Sequence, residues 1–172
     1  MTPARDATNL SQWAAANVDM APHIATLTKL ARASRTIVEF GVRGGVSTWA
    51  FLDGLPATGS LYSVDIVDCD VPPRVSADPR WTFIVGDDLD PAVQAQLPDR
   101  ADLVFIDTSH EYKQSVAELA YAQTFLPDLI VMHDYVMEPV LRAGTEFCER
   151  EGWRVAANEM PYGLATLVPI VP

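Results

Sequence analysis

Residues 36–48 read Thr-Ile-Val-Glu-Phe-Gly-Val-Arg-Gly-Gly-Val-Ser-Thr, and this stretch decides the fold. The apolar run from Thr36 to Gly41 predicts a buried strand, and the stretch from Val46 to Leu55 predicts the helix after it. Glycines in such a turn let the backbone approach a ligand closely. The spacing differs from the dinucleotide-binding fingerprint, because Gly41 is followed by Val42-Arg43 rather than by x-Gly-x-x-Gly. A cofactor-binding loop and a tight turn without a ligand are both compatible with this pattern.

Short apolar runs alternate with helical stretches along the rest of the chain. The predicted elements are strands at Leu61–Asp65, Trp81–Val85, Leu103–Ile106 and Leu129–Met132, helices at Pro91–Leu97, Tyr112–Phe125 and Pro139–Glu151, and two last strands at Trp153–Ala157 and Ala165–Val168. Strands that are apolar throughout are typical of a parallel sheet covered by helices on both faces. The two last strands leave no room for a crossover helix, so they form a hairpin. The pattern predicts an α/β fold: a doubly wound, Rossmann-like sheet of about seven strands, mostly parallel with one antiparallel C-terminal strand.

A helical segment precedes this sheet. The composition from Leu10 to Ala33 is helical, and Pro22 divides the stretch into two predicted helices. We therefore expect one compact domain, made of a helical segment over residues 1–35 and the Rossmann-like part over residues 36–172.

Composition and charge exclude several classes of protein. Hydrophobic residues make up 49% of the chain and charged residues 20%, which is ordinary for a folded globular domain. The longest aliphatic run, Leu129–Met132, is too short to span a bilayer, and the first 20 residues carry no secretory signal pattern. We therefore expect a cytoplasmic protein without a membrane partner. A net charge of −11 repels phosphate backbones, so nucleic acid is not an expected partner.

Acidic residues follow the second and third predicted strands. Asp65 lies 24 residues after Gly41, and an acid at about this distance from a glycine turn suits the acceptance of ribose hydroxyl groups. A helix cap or a solvated acid is the alternative. Asp87 and Asp88 follow the third strand, where a carboxylate could bind an adenine amino group or cap the helix that starts near Pro91.

Acids and histidines follow the fourth and fifth predicted strands. Asp107 ends the fourth strand with His110 three residues later, and His133-Asp134 ends the fifth. Neighbouring parallel strands would place Asp107 and Asp134 side by side, where two carboxylates repel unless a proton or cation lies between them. Oxygen-rich sites suit Mg²⁺ or Ca²⁺. His133 is either a structural histidine or a metal ligand through its neutral imidazole.

From Thr36 onward these strand ends resemble, in order and spacing, the class I S-adenosylmethionine-dependent methyltransferases. The chain is most similar to small cation-dependent O-methyltransferases of the catechol type, and to the related group of macrocin-type sugar methyltransferases and cephalosporin-hydroxylase-like proteins. The family's E-x-G-x-x-x-G-x-S loop is matched by Glu39, Gly41, Gly45 and Ser47, with Arg43 inside it, and would surround the methionine part of S-adenosylmethionine. The resemblance implies that Asp65 holds the ribose and that Asp87 and Asp88 contact the adenine.

The resemblance also implies a metal and a base. Asp107 matches the first metal-ligating acid, and His110 stands where the catechol type has its catalytic lysine. Histidine is a competent base near neutral pH, so His110 and Asp107 are the predicted catalytic residues. Asp134 is followed by Tyr135 where the family has Asn, so a carbonyl, a water or His133 would complete a site for Mg²⁺ or Mn²⁺.

The predicted function is methyl transfer from S-adenosylmethionine to a hydroxyl of a small molecule or sugar. A hydroxylase-like reaction on the same scaffold and a non-catalytic cofactor-binding module are the alternatives, whereas the glycine spacing disfavours a nicotinamide-dependent dehydrogenase. The segment before the first strand and the loop after Asp134 are both short. The acceptor pocket would therefore be open or be completed by a second subunit of a homodimer.

Overall fold

Seven strands form one sheet in the computed structural model, which describes residues 13–14 and 16–171. They are β1 (Thr36–Phe40), β2 (Ser60–Asp65), β3 (Trp81–Val85), β4 (Leu103–Ile106), β5 (Leu129–Met132), β6 (Trp153–Glu159) and β7 (Leu164–Pro169). The strand order is β3-β2-β1-β4-β5-β7-β6. The first five strands are parallel, and β7 runs antiparallel to both β5 and β6. The predicted sheet is confirmed, including its single antiparallel strand.

Six α-helices whose two ends both lie among the described residues connect or flank the strands. They are α1 (Ile24–Arg32), α2 (Val46–Gly54), α3 (Pro73–Ser76), α4 (Pro91–Gln94), α5 (Tyr112–Thr124) and α6 (Glu138–Glu151). Pro22 lies in a 3₁₀ turn, Ala21–His23, that leads directly into α1. The start of the helical segment predicted from Leu10 falls outside the described residues, as does Pro172.

Hydrophobic clusters cover both faces of the sheet, as the apolar strands predict. On one face Leu119 of α5 and Phe147 of α6 pack with Phe40 and Ile106. On the other face the residues of α1 and α2, including Phe51, pack against the sheet. Burial of this apolar area is the main term that stabilises the fold, at about 25 cal/mol per Å². No helix among the described residues is long and apolar enough to cross a membrane.

The strand order places the site. From β1 the chain passes to β2 and β3 on one side, and then returns to β4 and β5 on the other. Ligands in such sheets bind at this reversal, outside the carboxyl ends of the strands. Phe40 pairs with Val64 in β2 and with Ile106 in β4, and Ile106 pairs with Met132 in β5. The residues that follow these four therefore meet at one edge of the sheet.

Candidate active site

A cavity of about 530 Å³ opens at this edge. The residues that line it come from the turns after β1 to β4 and from the start of α5: Gly41, Val42, Arg43, Val64, Asp65, Ile66, Gly86, Asp87, Asp88, Asp107, Thr108, Ser109, His110, Glu111 and Gln114. Seven of the site residues predicted from the sequence are in this set. Glu39, Gly45, Ser47, His133 and Asp134 are not in the lining.

Residues 41–45, between β1 and α2, form a turn that is called the glycine loop below. Gly41, its first residue, lies against the end of β4. Its backbone has φ +90°, and a Cβ atom built there would lie 1.9 Å from the carbonyl oxygen of Asp107. Any side chain at this position collides with the backbone that carries Asp107. Glycine is therefore required because the loop after β1 and the loop after β4 lie in direct contact.

Asp65 fastens the glycine loop from the neighbouring strand. Its Oδ2 accepts hydrogen bonds from the backbone N–H groups of Val42 (2.8 Å) and Arg43 (3.0 Å), and its Oδ1 accepts one from Val67 (3.1 Å). Burial raises the pKa of Asp65, but these three bonds outweigh burial and hold the pKa below its ordinary value. A carboxylate has about four lone-pair positions, so this one keeps acceptor capacity for a hydroxyl in the cavity.

Glu39 and Ser47 lie beneath the glycine loop. Glu39 is fully buried and accepts hydrogen bonds from the hydroxyls of Ser47 (2.6 Å), Thr48 (2.8 Å) and Ser63 (2.5 Å). Burial raises its pKa to about 7 despite these donors. Glu39 therefore links β1 to the start of α2 and to β2 by hydrogen bonds.

The acids after β3 have separate environments. Asp90, not Asp87 or Asp88, caps α4, because its side chain accepts a hydrogen bond from the N–H of Ala92 at 2.8 Å. Asp87 is exposed and accepts a hydrogen bond from the N–H of Leu89 at 2.9 Å. Neither Asp87 nor Asp88 therefore caps α4, and both line the cavity instead.

Asp88 is buried beside a second acid that the sequence did not single out. The side-chain amide of Gln114 donates to Asp88 Oδ1 (3.2 Å) and to Glu118 Oε1 (2.9 Å). Thr108 adds a hydroxyl donor to Glu118 at 2.6 Å. Burial, and next the neighbouring charge of Glu118, raise the pKa of Asp88 to about 8. Burial and the charge of Glu118 thus favour the protonated form of Asp88, which reduces the negative charge at this end of the cavity.

Two acids and two histidines form a cluster at the ends of β4 and β5. Nε2 of His110 lies 3.2 Å from Oδ1 of Asp107 and 3.0 Å from Oδ2 of Asp134. Nδ1 of His133 lies 3.3 Å and 3.0 Å from the same two oxygens. The expected proximity of Asp107 and Asp134 is thus present, and both imidazoles contact the same two carboxylate oxygens.

Hydrogen bonding within this cluster shifts the pKa values of its members. Burial raises the pKa of Asp107, but the hydrogen bonds from His110 and His133 outweigh it and hold the pKa well below its ordinary value. The hydrogen bond to Asp107 raises the pKa of His110. Burial lowers the pKa of His133, yet Asp107 and Asp134 raise it overall. Asp107 is therefore ionised, and each histidine holds a proton more tightly than it would in water.

The chemistry of this donor set fits a divalent cation. Asp107, His110 and Asp134 each present one ligand atom within 4.8 Å of the others. Ligands at right angles around an ion at about 2.1–2.3 Å stand about 3.0–3.3 Å apart. The separations of 3.0–3.3 Å between imidazole nitrogens and carboxylate oxygens match that spacing.

Strained backbone occurs at the same site, as well as at Leu126 and Tyr162, which do not line the cavity. Arg43, His110 and Asp134 have φ values of +50°, +58° and +53°, in the left-handed region that non-glycine residues seldom adopt. Such residues cost about 1–3 kcal/mol each and cluster at functional sites, where the surrounding structure holds them in place. All three belong to the loops that were predicted to bind cofactor, metal or acceptor.

A family model described as a methyltransferase domain matches residues 38–135, from β1 to the residue after Asp134. The chain belongs to this methyltransferase family. The match confirms the expected family, and it includes every predicted site residue. Among curated protein sequences, none matches the chain significantly.

Solved structures share the methyltransferase's fold. The O-methyltransferase from Bacillus cereus in complex with SAH is 18% identical, with 94% of this chain and 89% of that chain covered and a TM-score of 0.67. The O-methyltransferase TomG from Streptomyces achromogenes, in complex with SAM, is 18% identical, with 98% and 92% covered and a TM-score of 0.69. At this level of identity the likeness establishes a common fold.

Sequence reasoning missed several polar residues of this methyltransferase site. Gln114 and Glu118 stand four residues apart, so they share one face of α5. This spacing, in the helix that follows the loop of His110, was the sequence signal that could have indicated them. Asp19 comes from the segment before β1 and forms an ion pair with Arg43 at 2.8 Å. No local pattern indicates Asp19, because its partners lie far along the chain.

Proposed function

We propose that this methyltransferase transfers a methyl group from S-adenosylmethionine to a hydroxyl group of a small molecule or sugar. One observation carries the proposal: the glycine loop with Asp65 and the cluster around Asp107 and His110 line the same cavity. A cofactor held by the first group would therefore lie within reach of an acceptor held by the second. The bound SAH and SAM in O-methyltransferases of the same fold support this choice of cofactor.

The cofactor end of the cavity is formed by loops whose donors and acceptors suit an adenosyl group. Asp65 would accept the ribose hydroxyls, and Asp87 and Asp88 would contact the adenine. Arg43 and Gly41 would border the methionine part, with Glu39, Gly45 and Ser47 holding the loop in shape. When bound, the cofactor supplies an electrophilic methyl group on a sulfonium, so the protein's own task is to position and deprotonate the acceptor.

His110 is the proposed base. Its side chain is 31% exposed and lines the cavity, while its Nε2 faces Asp107 and Asp134. This pairing leaves Nδ1 to take the proton of the acceptor hydroxyl, and the two carboxylates stabilise the imidazolium that results. Methyl transfer also requires that the hydroxyl oxygen lies about 3 Å from the methyl carbon and is aligned with it.

Asp107, Asp134 and His133 are the proposed ligands of a divalent cation, Mg²⁺ or Mn²⁺. His133 takes the third position here because His110, whose Nε2 contacts the same two carboxylate oxygens, is assigned to the acceptor. Such an ion supplies Lewis acidity, which lowers the pKa of a hydroxyl that it contacts. The two carboxylates would then serve both the ion and His110. The homodimer stays a prediction, and the molecular mass in solution tests it.

Calorimetric titration with S-adenosylmethionine and with SAH tests the cofactor assignment. Wild-type protein should bind both, and Asp65→Asn should weaken binding by about 1–3 kcal/mol, the scale for a hydrogen bond to a charged group. Asp68→Asn, an exposed acid three residues further on, is the matched control and should leave the affinity unchanged. A folded protein that binds neither ligand contradicts the proposal.

Transfer of labelled methyl groups to a panel of catechols, phenols and sugars tests the reaction. Product that gains one methyl on oxygen is the expected result. Cofactor binding without turnover on any acceptor would indicate a non-catalytic binding module, and a product that gains only oxygen would indicate the hydroxylase-like alternative.

A further inference from the structure

Asp88 and Glu118 form a buried pair of acids, called the acid pair below. Asp88 is 6% exposed and Glu118 is fully buried. The side-chain amide of Gln114 donates to both, to Asp88 Oδ1 at 3.2 Å and to Glu118 Oε1 at 2.9 Å. In the described part of the chain, no arginine, lysine or histidine lies within ion-pair distance of either acid. No neighbouring cation therefore neutralises the acid pair.

One oxygen of each acid has no hydrogen-bond donor. Asp88 Oδ2 and Glu118 Oε2 are both buried from solvent, and none of the described residues donates to them. Because solvent does not reach these two oxygens, a ligand in the cavity cannot supply the missing donor. The side chain of Glu118 is in hydrogen-bond contact with that of Asp88. The missing hydrogen bond must therefore form within the acid pair.

A single shared proton satisfies this requirement. Two ionised carboxylates in contact repel, and burial makes each charge more costly. A protonated carboxyl has one O–H donor and keeps acceptor capacity. One proton between Asp88 and Glu118 therefore supplies the missing hydrogen bond and leaves at most one negative charge on the acid pair. Asp88 Oδ1 can still accept a hydrogen bond from a ligand.

Two further titratable groups face Asp88, one from its own loop and one from α5. Burial is the largest cause that raises the pKa of Asp88, the charge of Glu118 is the next, and Asp87 contributes less. Asp87 is exposed, so water screens its charge. Burial, and next the charge of Asp88, raise the pKa of the Tyr121 phenol, which therefore stays neutral below pH 10. Glu118 is thus the group with which Asp88 shares its proton.

We propose that Asp88 and Glu118 share one proton and that Glu118 is thereby a positioning residue for the cofactor, because it holds Asp88 against the adenine only while that proton is present. The inference rests on the adenine contact of the proposed function and adds Glu118, which does not line the cavity, to that contact. Loss of the proton leaves two charges in contact, and they separate only if the loop after β3 moves away from α5. Cofactor affinity should therefore be full at low pH and fall as the pH rises through about 8, the pKa of Asp88.

Carbon-13 NMR of the side-chain carboxyl groups tests the shared proton in the ligand-free protein. The Asp88 resonance, identified by its loss in Asp88→Asn, should move in one step near pH 8 in wild type. In Glu118→Gln it should stay at its ionised position, because the glutamine amide donates to Asp88 in place of the proton. An ionised Asp88 in wild type from pH 5 to pH 10, or an unchanged titration in Glu118→Gln, overturns the proposal.

Calorimetric titration with adenosine tests the effect on binding. Adenosine fills the proposed ribose and adenine contacts and carries no group that titrates between pH 6.5 and pH 9.5. Wild-type affinity should fall by about tenfold or more across this interval, as linkage requires when only the protonated acid pair binds. Glu118→Gln keeps the shape of the side chain and should have nearly the same affinity at both pH values.

Asp99→Asn, which changes an exposed acid in the loop before β4, is the matched control and should keep the pH dependence of wild type. The titration of Glu39 is common to all three proteins, so it cancels in their comparison. Equal pH dependence in wild type and Glu118→Gln overturns the role of Glu118. A shared proton in a folded protein that binds neither adenosine nor SAH would contradict the proposed function and leave the shared proton established.

Discussion

Glu39→Gln is the substitution whose effect the structure predicts most directly. The side chain is fully buried, and its oxygens accept three hydroxyl hydrogen bonds. Glutamine has the same shape and keeps one acceptor oxygen, and the serine and threonine hydroxyls can rotate to accept from its amide. The substitution therefore removes the titration of residue 39 while preserving most of its packing.

The size of the change in unfolding free energy follows from the pKa of Glu39. Burial raises the pKa of Glu39 from 4.5 to about 7 in the folded chain. Folding therefore favours the protonated form, and the stability that Glu39 contributes is complete below pH 4.5 and is lost as the pH rises through 7. The full loss is about 3 kcal/mol, of which about 2.5 kcal/mol falls between pH 5 and pH 8. Wild-type protein should lose this amount relative to Glu39→Gln across that interval.

Urea unfolding of both proteins at pH 5, 6, 7 and 8 measures the effect. The difference between the two unfolding free energies isolates residue 39, because the other titrating groups are common to both proteins. Glu149→Gln on the exposed face of α6 is the matched control, and its difference from wild type should stay flat. Parallel curves for wild type and Glu39→Gln would show that the buried carboxyl does not change its charge in this range, and the reasoning would be wrong.

Three further predictions concern the cavity. Gly41→Ala should lower the melting temperature and weaken SAH binding, because the new Cβ would lie 1.9 Å from the carbonyl oxygen of Asp107. In the control Gly152→Ala, no atom lies within 4 Å of the new Cβ, so the substitution should cost only about 1–2 kcal/mol of stability for its positive φ. His110→Ala should lower turnover about 10²–10⁴-fold, measured by steady-state kinetics, with an SAH affinity near that of wild type by calorimetry. A wild-type rate would show that the proton leaves by another route. Activity should fall in excess chelator and return with Mg²⁺ or Mn²⁺, and full activity in chelator would remove the metal from the mechanism.

The sheet was predictable because each buried strand carries its own signal. The apolar runs at β1, β4 and β5 are too short for helices and too apolar for a solvated face, so they indicate parallel strands without any tertiary information. Helix ends were less accurate. The predicted helix at Pro91–Leu97 ends at Gln94, and the four-residue helix α3 (Pro73–Ser76) was not predicted, because elements of one turn have almost no periodicity to detect.

The site was predictable only where the strand ends define it. Gly41 and Asp107 directly follow strands, Asp65 ends β2, and His110 lies in the loop after β4, so topology alone brings them to one edge. The sequence could not show that Glu39 lies under the loop rather than in the cavity, because burial at a strand end depends on what packs above it. The left-handed backbone of His110 and Asp134 likewise depends on neighbouring loops and has no local signature.

The segment before β1 is joined to the site by contacts that no local pattern indicates. The carboxylate of Asp19 accepts a hydrogen bond from the guanidinium of Arg43 at 2.8 Å, while its backbone carbonyl faces Nε2 of His133 at 3.3 Å. The hydroxyl of Thr26 in α1 donates to the Glu159 carboxylate at 2.8 Å. Because Arg43 belongs to the glycine loop and His133 to the proposed metal ligands, Asp19 connects the two parts of the proposed site. We therefore expect a shift of residue 19 to displace the glycine loop and His133 together.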